Sequence, residues 1–357
     1  MTSSLQSAQL SLSNTLTAIS GHLPVDAVSG SVRGRLEAVA ARLPADPFNH
    51  LYFEYPLQAG PPRLDVSVAL DAARIRDVIT PLVQTATDEG NVAWRGLASL
   101  ADGIEHSIPL RTAGRLWMEF DLPALEGAIQ DVLPVPGIFV EWRHGATMRA
   151  STEEHVARAH SVFTHLGDRR ICTVVCESAR RAIETLPASA YPHYVGVFVA
   201  RGAETLRLCL VGLERDAILP YLVRCRWPGD MDAVAHLLHQ ASRRPRATGD
   251  GALSIVNIDV GAEMCPTLGL ELAVESHAKC RSTAPVIEWL TEQGWATGVA
   301  STALDSWAGT SLVSLPHHLW RSIVTRRVNH VKLTLHATCV EAKVYLAAEM
   351  AAHVPQW

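Results

Sequence analysis

Apolar and polar positions change their period several times along this chain, and each change marks an element. Residues 3–20 and 33–43 ("RGRLEAVAARL") place apolar side chains at i, i+3 and i+4, which predicts two amphipathic helices. The period drops to two in "HLYFEYPLQAGPPRLDVSVALD" (50–71), where a Gly-Pro-Pro turn separates two strand-like runs and predicts an open-looped hairpin. A helix over 71–86 and a further helical stretch lead to strands in "RLWMEFDLP" (115–123) and "PGIFVEWRH" (136–144).

The second half repeats this grammar. "YVGVFVARGAETLRLCLVGLE" (194–214) reads strand, glycine-containing turn, strand. Helices over 215–225 and 230–242 follow, then strands at 252–260 and 266–276, and two glycine-ended helices within 281–310. In both halves an aspartate (Asp121, Asp259) ends an apolar strand, and a glycine-led strand bearing a glutamate (Glu141, Glu271) comes next. The predicted fold class is therefore α+β: mixed, mainly antiparallel sheets with packed helices, compatible with an internal duplication of a ββαββ unit. The predicted organisation is a helical segment over 1–48, a first half over 49–190 and a second half over 191–357.

The C-terminal run "RRVNHVKLTLHATCVEAKVYL" (326–346) alternates clearly. Val328, His330, Lys332, Thr334 and His336 are expected on one strand face, with Asn329, Val331, Leu333 and Leu335 opposite. Arg326, Arg327, His330, Lys332 and Lys343 make this a local basic patch. It is either a binding wall or a charged edge that guards a sheet against aggregation.

Composition narrows the function. The 357 residues are 48% hydrophobic and 19% charged, which marks a packed globular chain, and the formal charge of −5 argues against a nucleic-acid binder. The N-terminus lacks a basic segment before an apolar core, and no apolar run approaches about 18 residues, so a cytoplasmic protein with no membrane partner is expected. Seven scattered cysteines show no CxxC pair and indicate neither a disulfide framework nor a zinc site. Cys172 and Cys176 read as core. His155, His160 and His165 lie five residues apart, a spacing that diverges on a helix, so no metal is expected. Phosphate-cradling glycine motifs and nucleophile elbows are missing, and no cofactor is implied.

The stretches "LRLCLVGLERDAILPYLVRCRWPGD" (206–230), "LSIVNIDVGAEMCPTLGLELAVES" (253–276) and "RRVNHVKLTLHATCVEAKVYLAAEMAAH" (326–353) resemble a family of bacterial proteins. These are encoded beside ribosomally made, post-translationally modified peptides (RiPPs) and include the paired peptide-binding proteins of crocagin biosynthesis. The resemblance covers roughly residues 190–357. It departs at "HATCV", where the family's turn holds a proline, and it matches Arg327, His330, Lys332, Glu341, Lys343 and Tyr345. It implies a non-catalytic, dimeric peptide-binding accessory protein that presents a ribosomal precursor peptide to a modifying enzyme of the pathway. Arg326, Arg327, Lys332 and Lys343 would engage the peptide's carboxylates, Tyr345 and Trp320 would pack against it, and His330 would complete the peptide-binding set. The alternative is a peptide-modifying enzyme, a cyclase or proton-transfer catalyst using His330 with Asp259 or Glu271.

Overall fold

Helices and strands come in alternating pairs. Helices α1 (Leu12–Ile19) and α2 (Gly30–Arg42) precede strands β1 (His50–Pro56) and β2 (Asp65–Asp71). Helices α3 (Ile75–Thr87) and α4 (Val92–His106) precede β3 (Ala113–Phe120) and β4 (Gly137–Trp142). The short α5 (His144–Thr147), then α6 (Thr152–Leu166) and α7 (Cys172–Glu184), precede β5 (Tyr191–Phe198) and β6 (Leu206–Val211). Helices α8 (Arg215–Arg224) and α9 (Met231–Ser242) precede β7 (Leu253–Val260) and β8 (Met264–Ala273). Helix α10 (Ala284–Glu292) and strand β9 (Gly309–Val313) precede the long β10 (Ser322–His336) and β11 (Cys339–Ala352). The computed structural model describes residues 12–24, 30–43, 50–61, 63–87, 92–122, 133–244, 253–274, 284–297, 304, 306–315, 321–337 and 339–352.

Every strand pairing is antiparallel, and ten strands close a ring in the order β1-β2-β3-β4-β5-β6-β7-β8-β10-β11. Closure is made by β11, which pairs with β10 on one side and with β1 on the other, Leu51 opposite Ala348 and Glu54 opposite Tyr345. The small β9 pairs with the first part of β10, and β8 with its last part.

The α+β expectation is corrected by this architecture. The strands form one closed antiparallel barrel, not sheets built from two ββαββ units. The likeness between the halves falls on β3–β4 and β7–β8, two hairpins of the same ring. Local periodicity reports each strand but carries no information about which strand closes on which.

The barrel is apolar outside and polar inside. Val66, Met118, Val140, Leu208, Leu333 and Leu346 are fully buried and belong to one continuous core shared with the helices. Their neighbours in sequence point inward. The outer helices carry their own start signals: Ser151 accepts from the amide of Glu154, whose carboxylate accepts from the Ser151 amide, a capping box for α6. Asp230 caps α9 through the amides of Asp232 and Ala233.

On β10 the predicted alternation holds for His330, Lys332 and Thr334, but a bulge between Val328 and His330 breaks it upstream. Val328 pairs with Leu346 on the core side and is buried, so it does not share the face of His330. Among the described residues no helix is long and apolar enough to cross a membrane.

The inside-out pattern predicts opposite sensitivities for adjacent residues. Leu333→Ala should cost about 2–5 kcal/mol in guanidinium unfolding. Thr334→Ala, on the lumen side, should stay within about 1 kcal/mol of the parent. Equal losses at both positions would contradict the assignment of faces.

Candidate active site in the barrel lumen

Two adjoining cavities of about 310 and 370 Å³ occupy the lumen, and Glu54, Glu119, Lys332 and Tyr345 border both. The first is aromatic: Tyr52, Trp117, Phe139, Tyr194, His330 and Tyr345 line it. Tyr52 stacks on Trp117 with ring centroids 5.2 Å apart, and His330 stacks on Tyr345 at 3.9 Å. Trp117 is held by its Nε1, which donates to Glu141 Oε2 at 2.8 Å. These rings are offered by cross-strand neighbours, Trp117 opposite Phe139 and His330 opposite Tyr345, so antiparallel register gathers them.

The second cavity is charged. Arg63, Arg201, Arg207, Lys332 and Lys343 project into it. Each already has a carboxylate partner. Arg207 holds Asp259 with both arms of its fork, Nε to Oδ1 at 2.7 Å and Nη2 to Oδ2 at 2.8 Å. Arg201 grips Asp121 in the same way at 2.9 and 2.7 Å. Arg63 lies 2.7 Å from Asp65, Lys332 lies 3.6 Å from Glu271, and Lys343 lies 3.8 Å from Glu54 and 3.9 Å from Asp65. Phe198 supports both arginines, with guanidinium carbons 4.1 and 4.5 Å from its ring centre.

Glu54 stands where the two cavities meet. Only 2% of it is exposed, and Ser67 Oγ donates to its Oε1 at 3.3 Å. Burial alone would push its carboxyl up. Lys343 and Lys332, with hydrogen bonds from Tyr345 and Glu119, outweigh that and hold it below the ordinary value. Glu119 takes the opposite state: burial, then the charge of Glu54, push it up to about 8 against the pull of Lys343, Lys332 and Arg207. Two neighbouring carboxyls thus divide into a base and an acid at neutral pH. Burial also lowers His330, more than Glu271 raises it, so this ring is a neutral imidazole. It lies 3.6 Å from Glu271, which also accepts from Asn257 Nδ2 at 2.8 Å.

No family model matches the sequence, and no curated protein matches it. Solved structures do. A 6-dimethylallyltryptophan synthase from Micromonospora olivasterospora, in complex with DMASPP and Trp, aligns with a TM-score of 0.62 at 14% identity, over 94% of this chain and 97% of that one. A 5-dimethylallyl tryptophan synthase from Streptomyces coelicolor aligns with 0.58 at 14% identity, over 95% of each chain. The prenyltransferase PriB, in a ternary complex with L-tryptophan and dimethylallyl thiolodiphosphate, gives 0.57 at 14%, over 95% and 96%. The fold is that of the prenyltransferase barrel.

This fold overturns the peptide-binding reading. That reading needs an open strand beside an accessible groove, whereas β10 is enclosed between β8, β9 and β11. The residues expected to form one handle separate. His330, Lys332, Lys343 and Tyr345 do meet, but inside the barrel. Arg326 is buried and ties β9 to β10, donating to the Trp307 carbonyl and to Ser311 Oγ at 2.9 Å each. Arg327 pairs with Glu349 at 2.5 Å. Trp320 lies outside the described residues. The solved structures named above are prenyltransferases or dimethylallyltryptophan synthases, and they do not support the crocagin-type RiPP resemblance.

Sequence reasoning missed Glu54, Tyr52, Trp117 and Arg207. A signal existed in "HLYFEYP": Tyr52 and Glu54 share one face while Leu51, Phe53 and Tyr55 share the other and are buried. A carboxylate facing away from three buried apolar residues has the local pattern of the wet side of a sheet, whereas closure turns that side inward.

Glu119 makes the site's stability depend on pH. From its ordinary value of 4.5 to about 8 the folded protein retains a proton that the unfolded chain has released, so this group's contribution becomes less favourable as pH rises through that window. Thermal unfolding of wild type and Glu119→Gln should show the variant's relative stability growing with pH up to about 8 and then levelling. A pH-independent difference would contradict the assignment.

Proposed function

We propose that the lumen is the active site of a transferase that moves an allylic isoprenoid from its diphosphate to an aromatic acceptor of the indole class. The observation that carries this reading is the position of an ionised, buried Glu54 between an aromatic chamber and a cluster of five cations. The names of the aligned structures, which bind tryptophan and dimethylallyl thiolodiphosphate, agree with it.

Each part of the lumen then has a task. Arg63, Arg201, Arg207, Lys332 and Lys343 receive the diphosphate, exchanging part of their carboxylate contacts for phosphoryl oxygens. The allylic carbon–oxygen bond breaks and its electron pair leaves with the diphosphate. The allyl cation forms between ring faces, where Tyr52, Trp117 and Tyr345 stabilise it through their π-systems and exclude water. A nucleophilic carbon of the acceptor forms the new carbon–carbon bond. Glu54 accepts an acceptor N–H in a hydrogen bond and takes the proton released as aromaticity returns. Glu119, protonated below about pH 8, keeps the chamber from carrying a second adjacent negative charge that would repel the diphosphate.

Purified protein incubated with dimethylallyl diphosphate and L-tryptophan or simple indoles should yield a product heavier by one five-carbon unit and release inorganic diphosphate. Glu54→Gln should lower kcat by about 10²- to 10⁴-fold with the fold intact by circular dichroism. Wild-type activity should fall above about pH 8, where Glu119 ionises, and Glu119→Gln should lose that alkaline limb. If neither transfer nor diphosphate release occurs with any such acceptor, the reading fails.

A further inference from the structure

Outside the barrel, consecutive outer helices bring three metal-binding side chains together. Cys172 and Cys176 lie one turn apart on α7, with their sulfurs 3.9 Å from each other. His160 on α6 meets them, so that one donor atom from each of the three lies within 4.8 Å of the others. The helices place these groups by packing: Val175 and Ala179 of α7, and Ala159, Val162 and Phe163 of α6, are buried in the core. The polar shoulder of that contact is where the thiols and the imidazole converge.

The spacing is informative. A zinc ion bound by two sulfurs at about 2.3 Å in tetrahedral geometry sets those sulfurs about 3.8 Å apart. The observed 3.9 Å matches that edge without backbone movement. It is far from the ~2.05 Å of a disulfide, and cysteines separated by one helical turn do not approach that distance readily. Both cysteines are half-buried while His160 is exposed, so an ion has a way in and part of its shell remains protected. Thr164 Oγ1, which donates to the His160 carbonyl at 2.9 Å, lies 3.7 Å from Cys172 Sγ.

We propose that His160, Cys172 and Cys176 form a binding site for a thiophilic divalent cation of the zinc class, pinning α6 to α7 on the outside of the barrel. Two thiolates and an imidazole suit such an ion and discriminate against magnesium and calcium, which prefer oxygen. The site lies in the helical layer, with α6 packed on β5 and α7 on β7, and is separate from the lumen. Cysteine binds such an ion as its thiolate. Metal binding must therefore expel protons, and affinity rises with pH.

Titration of the full-length, reduced protein with cobalt(II) as a spectroscopic probe tests this. The expected result is a thiolate-to-metal charge-transfer band that saturates near one equivalent per chain, collapses on addition of zinc and strengthens with pH. Cys172→Ser and Cys176→Ser should each abolish the band, His160→Ala should weaken binding at least tenfold, and Cys339→Ser should leave it unchanged. Zinc should raise the thermal midpoint of wild type but not of Cys176→Ser. No thiolate band at one equivalent in wild type, or a band that survives in the Cys172→Ser/Cys176→Ser double variant, would overturn the proposal. The wild-type titration decides the question even where a variant folds poorly.

Discussion

The pairing of β11 with β1 is the constraint on which the rest of this molecule depends. It joins the last strand to the first, across nearly three hundred residues of sequence, and removes every free edge from the ten-stranded ring. Once the ring is closed, a residue's parity decides its fate. One set of side chains packs under the helices and must be apolar. The other set shares an enclosed space that is neither bulk water nor core. Tyr345 and Lys343 sit on the closing strand itself, opposite Glu54 and Pro56, so the seam also assembles the centre of the candidate site.

Charge inside such a space has to be balanced locally, because desolvation of an unpaired ion is costly. The lumen meets this requirement with pairs: Arg207 with Asp259, Arg201 with Asp121, Arg63 with Asp65, Lys332 with Glu271, and Lys343 shared between Glu54 and Asp65. The pairing keeps five cations in place without an anionic ligand. The five cations are matched by five carboxylates, and Glu119 avoids adding a sixth negative charge by staying protonated up to about pH 8. A chamber of this kind is poised to receive an anion that takes over part of the carboxylates' role, while Glu54 remains charged because Lys343 and Lys332 face it.

Much of the secondary structure was legible from local pattern. The hairpin at 50–71, the strands near 115–123, 136–144, 252–260 and 266–276, and the alternation of His330, Lys332 and Thr334 all correspond to strands of the barrel. The fold was not legible, because the contacts that define it join residues far apart, such as Phe53 with Leu346, and no local period encodes them. The candidate site was half visible for the same reason. Lys332, Lys343, His330 and Tyr345 stood out as polar groups on strands, but polarity on a strand face looks identical whether it meets solvent or an enclosed lumen. Glu54 has the local pattern of an ordinary solvated acid, and only ring closure makes it a buried one. The Val328–His330 bulge, which moves Val328 out of the lumen face, falls at Asn329 and has neither glycine nor proline to announce it. The cysteine–histidine cluster escaped because its donors come from two helices, and spacing rules see one helix at a time.

The division of labour between Glu54 and Glu119 is the centre of this account, and carbon-13 NMR of protein labelled at the glutamate carboxyls measures it directly. A pH titration should show one carboxyl, identified by its loss in Glu119→Gln, ionising near pH 8, and a second, lost in Glu54→Gln, already ionised below the ordinary glutamate range. Two carboxyls titrating together at ordinary values, as solvated side chains do, would contradict a closed lumen that holds one buried base beside one buried acid.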